Sequence, residues 1–158
     1  MYFYRMNKVY LCLGTNLGNR EQHLQDAIHK INIQIGKVTA KSSILDTLPW
    51  GVENQENYLN QVLRVESDLT PLQLLESIHQ IERELGRIRH QKWEARIIDI
   101  DIIFYNDEII QLANLQIPHP LMHQREFVLV PLCEIAPLLI HPFLQKTIKD
   151  LVAELKSK

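Results

Sequence analysis

A chain of 158 residues with 46% hydrophobic and 23% charged side chains is long enough to bury about 70% of the surface its unfolded form exposes, which excludes a disordered tail, a coiled coil or a small fold needing disulfide staples. A formal net charge of −2 excludes a broad nucleic-acid-binding surface, so a polyanionic partner has to meet a local basic cluster. No stretch approaches the roughly 18 apolar residues of a membrane span, and Cys12 and Cys133 lie in apolar strand-like runs without CxxC or zinc spacing, so the expectation is a single cytoplasmic domain over residues 1–158, monomeric and bound to no membrane.

Val9 to Leu13 reads as a short apolar strand, ended by Gly14-Thr15-Asn16-Leu17-Gly18-Asn19. Leu24, Ala27, Ile28, Ile31 and Ile35 then recur at helical spacing, with Asn19 and Gln22 placed as a capping box. Val38–Leu45 and Leu59–Glu66 read as strands around the polar segment Asp46–Asn57. Thr70-Pro71 opens a second helix with the apolar face Leu74, Leu75, Ile78, Ile81 and Leu85, closed by Gly86. A strand over Ile97–Tyr105, a hairpin turn at Asn106-Asp107 into Ile109-Ile110, the segment Ile117-Pro118-His119-Pro120 and a last helix through Ile148, Leu151, Val152 and Leu155 complete the chain. The order strand, helix, strand, strand, helix, strand predicts an α+β fold: a ferredoxin-like core, mainly antiparallel sheet with packed helices and C-terminal additions.

The strand over Ile97–Tyr105 carries Asp99 and Asp101 where a buried strand would carry apolar residues. Side chains alternate along a strand, so the two carboxylates share one face about 6.5 to 7 Å apart, opposite a stripe of Ile98, Ile100, Ile102 and Phe104. Neighbouring carboxylates repel, and all-oxygen ligands suit a hard cation, Mg²⁺ first. A solvated pair on the wet face of an antiparallel strand is the alternative.

Just before this strand, Arg87, Arg89, Lys92 and Arg96 stand against Glu94, a local charge of +3 opposite in sign to the whole chain. Guanidinium forks bind phosphate oxygens, so a basic loop beside a Mg²⁺-holding pair fits a nucleoside triphosphate; a solvated loop that only neutralises the aspartates fits the same residues. Glu82 falls on the apolar stripe of the second helix near its C-terminus, where the helix dipole disfavours a carboxylate; pairing with an arginine such as Arg96 or Arg87 fits this, and so does a Glu at the stripe's edge that snorkels to water. The turn after the first strand matches neither the P-loop nor GxGxxG. Trp50, Tyr58, Trp93 and Phe127 are aromatics near polar loops that fit a flat ring or plain packing, and His119 between two prolines fits a phosphate donor or a structural histidine.

Several segments in order resemble the 6-hydroxymethyl-7,8-dihydropterin pyrophosphokinase family of folate biosynthesis. They are Leu13–Asn19, Asn57-Tyr58-Leu59-Asn60, Glu82–Arg89, Trp93–Ile102, Pro118-His119-Pro120 with Arg125-Glu126-Phe127, and Pro131-Leu132 with Ala136-Pro137, spanning nearly the whole chain. The resemblance implies transfer of the β,γ-pyrophosphate of ATP to the hydroxymethyl oxygen of the reduced pterin, releasing AMP, with two Mg²⁺ ions. It implies that Asp99 and Asp101 hold the metals, and that Arg87, Arg89, Arg96, His119 and Arg125 contact the triphosphate, with Arg87 and Arg96 catalytic. Glu82 and Ile102 are implied at the ATP, with residues 114–116 as adenine candidates. Thr47, Leu48, Trp50, Tyr58, Asn60 and Phe127 are implied around the pterin, with Trp93 on a closing loop.

The chain departs from the family's Trp-Gly-Pro-Arg at Trp93-Glu94-Ala95-Arg96, which removes two backbone constraints and adds a charge, and it has Leu48-Pro49-Trp50-Gly51 in the pterin loop. Competing readings are a two-metal phosphodiesterase and a ferredoxin-like RNA-binding module, the latter disfavoured by the absence of an aromatic RNP1-type run.

Overall fold

The computed structural model describes residues 5–47, 57–86 and 97–158, so Leu48, Trp50, Arg87, Arg89, Trp93 and Arg96 of the expected site lie outside the described residues. Its centre is β1 (Asn7–Thr15), a strand apolar on both faces. Val9, Leu11 and Leu13 pack on one side with Leu24, Ala27 and Ile31 of α1 (Arg20–Gln34) and Leu74, Ile78 and Ile81 of α2 (Pro71–Glu84). Tyr10 and Cys12 pack on the other with Val128, Leu129 and Leu132 of α3 (Glu126–Ile135) and Ile148 and Leu151 of α4 (Ile148–Lys156). The sheet therefore sits between two helical layers and buries both faces.

Antiparallel partners flank β1: β4 (Tyr58–Ser67) on one side and β5 (Asp99–Tyr105) on the other. The outer strand next to β4 comes in two pieces, β2 (Gly36–Lys41) and β3 (Leu45–Thr47), giving the order β2-β4-β1-β5 with β3 also on β4. This is the predicted ferredoxin-like arrangement, in which each helix returns the chain across the sheet. The predicted continuous strand Val38–Leu45 breaks because Ser42 folds its hydroxyl into the ladder. Its Oγ accepts the Val62 N–H at 2.9 Å, and its carbonyl accepts from Gln61 Nε2 at 2.9 Å.

The helix caps follow the sequence closely. Thr70 and Gln73 form a reciprocal capping box, Pro71 opens α2, and Gly86 beyond its end takes φ +94°, a left-handed value that favours glycine. At α1 only half of the expected box forms. Asn19 Oδ1 accepts the Gln22 N–H at 3.2 Å, while the Gln22 amide turns along the helix to Asp26.

Three expectations are corrected. Cys133 lies in helix α3, not in a strand-like run; its surroundings are apolar on nearly every side and contain Pro131, so no 3.6-residue polarity pattern marks the helix. The Asn106 turn forms, with Lys8 N–H donating to Asn106 Oδ1, but β6 (Ile110–Leu112) pairs with β7 (Leu115–Ile117) rather than continuing a hairpin from β5. Phe104 does not share the Ile98, Ile100 and Ile102 face. The register slips between Tyr10 and Leu11, so Tyr10 faces Phe104 and Leu11 faces Ile102, and the extra residue Ile103 turns Phe104 toward α3 while Tyr105 joins the isoleucines.

Two stability predictions arise from this packing. Thr15 is fully buried at the end of β1, on the Leu11 and Leu13 face by alternation, and its Oγ1 has no hydrogen-bond partner among the described residues. Thr15→Val, nearly isosteric, is expected to stabilise the fold by about 1 kcal/mol, raising Tm by a few degrees in a thermal melt. Glu84 in the last turn of α2 accepts from Lys30 Nζ at 2.8 Å and Gln34 Nε2 at 2.9 Å of α1, and from Gln80 Nε2 at 3.1 Å. These bonds, Lys30 first, lower its pKa to about 2. A carboxylate with a lowered folded-state pKa stabilises above its unfolded value and loses that contribution as pH falls through the folded one. Wild type is therefore expected to melt above Glu84→Gln at pH 6, the gap closing between about pH 4.5 and 2, and to a smaller extent in high salt.

Candidate active site

Antiparallel partners share a face, so the registers of β1 show what stands beside what on the α3 side of the sheet. One row runs from Asn60 on β4 through Gly14 on β1 to Asp99 on β5, and the next from Val62 through Cys12 to Asp101. Two strand spacings separate Asn60 from Asp99, about 9.5 Å. Beyond Asn60, β3 aligns Thr47 with Tyr58, and Thr47 Oγ1 accepts from Asn60 Nδ2 at 3.2 Å. A polar edge of Thr47, Tyr58 and Asn60 thus lies on one side of β1 and the two carboxylates on the other.

The C-terminal additions supply the remaining groups. Arg125 precedes the first turn of α3, and its guanidinium lies 5.7 Å from the centre of the Phe127 ring. The helix packs on β3 and β4, with Phe127 in its first turn against the cluster of Tyr10, Cys12 and Val62. Glu134, two turns on, accepts from Ser43 N–H at 2.9 Å and from Ser43 Oγ at 2.7 Å, which ties α3 to the chain entering β3.

Electrostatics show the same convergence. Burial pushes the Cys12 thiol well above its ordinary value, Asp101 and Asp99 add to the rise, and Arg125 opposes it. Burial likewise lowers His119, against the pull of Asp101 and with the help of Arg125. Burial thus favours the neutral ring. Its Nδ1 accepts the Leu121 N–H at 3.3 Å, leaving the ring proton on Nε2 as a donor.

Glu82 is 4% exposed, and its Oε2 accepts the Ile100 N–H at 3.1 Å, the residue between the two aspartates. The carboxylate occupies an outward-facing amide of the edge strand β5. Around it opens a cavity of about 390 Å³ lined by Glu82, Asp99, Asp101, Ile102, residues 114–116 and His119, among others. His79 and Leu75 of α2 also line it, together with Ala113 and Pro120, none of them anticipated. The signal was present for the first two: they precede Glu82 by about one and two turns on the same helical flank.

The structure thus brings Glu82, Asp99, Asp101, Ile102 and His119 to one cavity, with Arg125 near enough to act electrostatically on His119 and Cys12. It groups Thr47, Tyr58 and Asn60 across β1, with Phe127 carried by α3. Among the described residues, no group of three His, Cys, Asp or Glu could hold a metal. Two same-face carboxylates nevertheless fit Mg²⁺, which takes one or two protein carboxylates and completes its octahedron with substrate phosphate and water.

The model of the 7,8-dihydro-6-hydroxymethylpterin-pyrophosphokinase family matches residues 10–137. The chain belongs to this family. It is similar, at 42% identity over 151 residues, to the 2-amino-4-hydroxy-6-hydroxymethyldihydropteridine pyrophosphokinase of Aquifex aeolicus, covering 94% of this chain and 92% of the relative. To the pyrophosphokinase of that name from Bacillus subtilis it is 43% identical over 130 residues, covering 82% and 78% of the two chains. Its fold is that of the crystal structure of Plasmodium falciparum HPPK-DHPS, with a TM-score of 0.80 at 19% identity, covering 97% of this chain and 45% of that one. As a pyrophosphokinase of this family, the chain uses the α+β scaffold and antiparallel sheet described above. No described helix is long and apolar enough to cross a membrane.

Proposed function

We propose that this pyrophosphokinase transfers the β,γ-pyrophosphate of ATP to the hydroxymethyl oxygen of 6-hydroxymethyl-7,8-dihydropterin, releasing AMP, and that the transfer occurs above Gly14 and Cys12 of β1. The observation that carries this is the register: a polar edge suited to a pterin on β3 and β4 and a carboxylate pair on β5 share one face, separated only by β1.

Thr47 and Asn60 read the pterin edge, and Tyr58 and Phe127 flank its ring. The nucleotide enters the cavity between α2 and β7, its base against Ile102 and residues 114–116 and its phosphates toward His119 and Arg125. Asp99 and Asp101 would hold two Mg²⁺, whose bound charge supplies Lewis-acid neutralisation of the phosphoryl oxygens. Arg125 adds fixed positive charge, and neutral His119 donates from Nε2. The attacking alcohol is unactivated and no protein nucleophile takes part, so catalysis is positioning and electrostatic stabilisation. Arg87, Arg89 and Arg96 would join the phosphate contacts, with Leu48, Trp50 and Trp93 toward the pterin. The site is built from one chain spanning residues 1–158, so a single-domain monomer suffices, and the free thiols Cys12 and Cys133 suit a reducing cytoplasm.

The test is incubation with ATP, Mg²⁺ and the pterin. AMP and a pyrophosphorylated pterin in equal amounts are expected, dependent on Mg²⁺. Formation of ADP, or AMP made equally well without the pterin, would refute the reading.

A further inference from the structure

Gly14 has no side chain at the one position of the central strand that lies between Asn60 and Asp99. Its backbone does not require glycine, since among the described residues the positive-φ glycines are Gly18 and Gly86. Space is what it supplies. A Cβ built on Gly14 would lie 3.2 Å from Asn60 Oδ1, closer than ordinary van der Waals contact. Asn60 is 5% exposed and one N–H of its Nδ2 donates to Thr47 Oγ1, while Oδ1, the atom nearest Gly14, lies over the strand as an acceptor.

We infer that Gly14 is a positioning residue for pterin recognition: the missing Cβ lets the Asn60 amide lie across β1 in the orientation that Thr47 fixes, with Oδ1 available to a ring N–H. The inference rests on the assignment of Asn60 to the pterin edge and adds the residue that holds it there. A methyl group at position 14 pushes Oδ1 away by a few tenths of an ångström and covers part of its surface. The amide then shifts against its Thr47 bond, and the acceptor geometry at Oδ1 shifts with it. Among the described residues the built Cβ comes within 4 Å of Asn60 Oδ1 alone and of no atom of Asp99, its register partner on β5, so nucleotide binding is spared.

The experiment compares Gly14→Ala in the wild-type and Asn60→Ala backgrounds, measuring KM for the pterin, kcat, the Kd for Mg·ATP and the thermal melt. Gly14→Ala is expected to raise the pterin KM about tenfold, the scale of one displaced hydrogen bond. Mg·ATP affinity should stay within about twofold of wild type. In the Asn60→Ala background the same change should add less than about twofold, because the group it acts through is gone. A pterin KM unchanged by Gly14→Ala would overturn the proposal. An equal rise in both backgrounds, or a joint loss of Mg·ATP binding and the melting transition, would overturn it as well, giving Gly14 a purely structural role. A wild-type chain that makes no AMP from the pterin would instead defeat the assignment of the site, whereas normal wild-type turnover with an unaffected Gly14→Ala defeats this inference alone.

Discussion

Asp101→Ala is expected to lower kcat by at least about 10³-fold while leaving the melting temperature unchanged or slightly raised. The side chain is exposed on an otherwise buried strand, so its removal costs little packing, and relief of its repulsion with half-buried Asp99 on the same face offsets attractions it loses, such as that to His119. On the proposed reading, what is lost is one of two anionic ligands that would hold Mg²⁺ at the phosphoryl oxygens. Several kcal/mol of charge stabilisation correspond to the quoted factor at 1.36 kcal/mol per tenfold. Asp99→Ala should behave alike. Single-turnover kinetics with a parallel melt is the check, and a variant with near-normal kcat would remove that aspartate from the metal site.

Glu82→Ala is the second large effect, and it combines stability with activity. The Ile100 N–H on the edge strand loses its acceptor in a buried place, which costs about 1–3 kcal/mol, or roughly 3–10 °C in Tm for a chain of this size. Ile100 sits between the two aspartates, so β5 loosens where the carboxylates leave it, and kcat/KM for ATP should fall by about tenfold or more. Glu82→Gln keeps a carbonyl oxygen for the Ile100 amide and should retain most of the stability. Equal melts for Ala and Gln would show that the amide does not depend on this acceptor.

Much of this arrangement was legible in the sequence because it is made of local signals. Thr70, Pro71 and Gly86 mark α2 by capping chemistry, and an out-of-place Glu82 on its apolar stripe flagged a buried polar contact. Asp99 and Asp101 stood out because strands rarely carry two acids on one face. The partner of Glu82 seen among the described residues is nevertheless a backbone amide of β5, which no spacing rule reveals, while Arg87 and Arg96 lie outside them. Helix α3 was illegible for the opposite reason: apolar on nearly every side and interrupted by Pro131, it shows no periodicity. The bulge at Ile103 was hidden too, since Phe104 and Tyr105 both suit a buried face and only pairing with β1 decides between them. Gly14 read as part of a turn because its meaning depends on Asn60 and Asp99, distant in sequence and joined only by register.

The central claim is that the two substrates meet across β1. Relaxation of pterin protons by Mn²⁺ in place of Mg²⁺, in the complex with an ATP analogue uncleavable between its α and β phosphates, tests it most directly. The hydroxymethyl protons should relax strongly, at metal distances below about 10 Å, two strand spacings, and the enhancement should vanish in Asp99→Ala/Asp101→Ala. A bound pterin without enhancement, or one farther than about 15 Å from the metal, three strand spacings, would contradict the account.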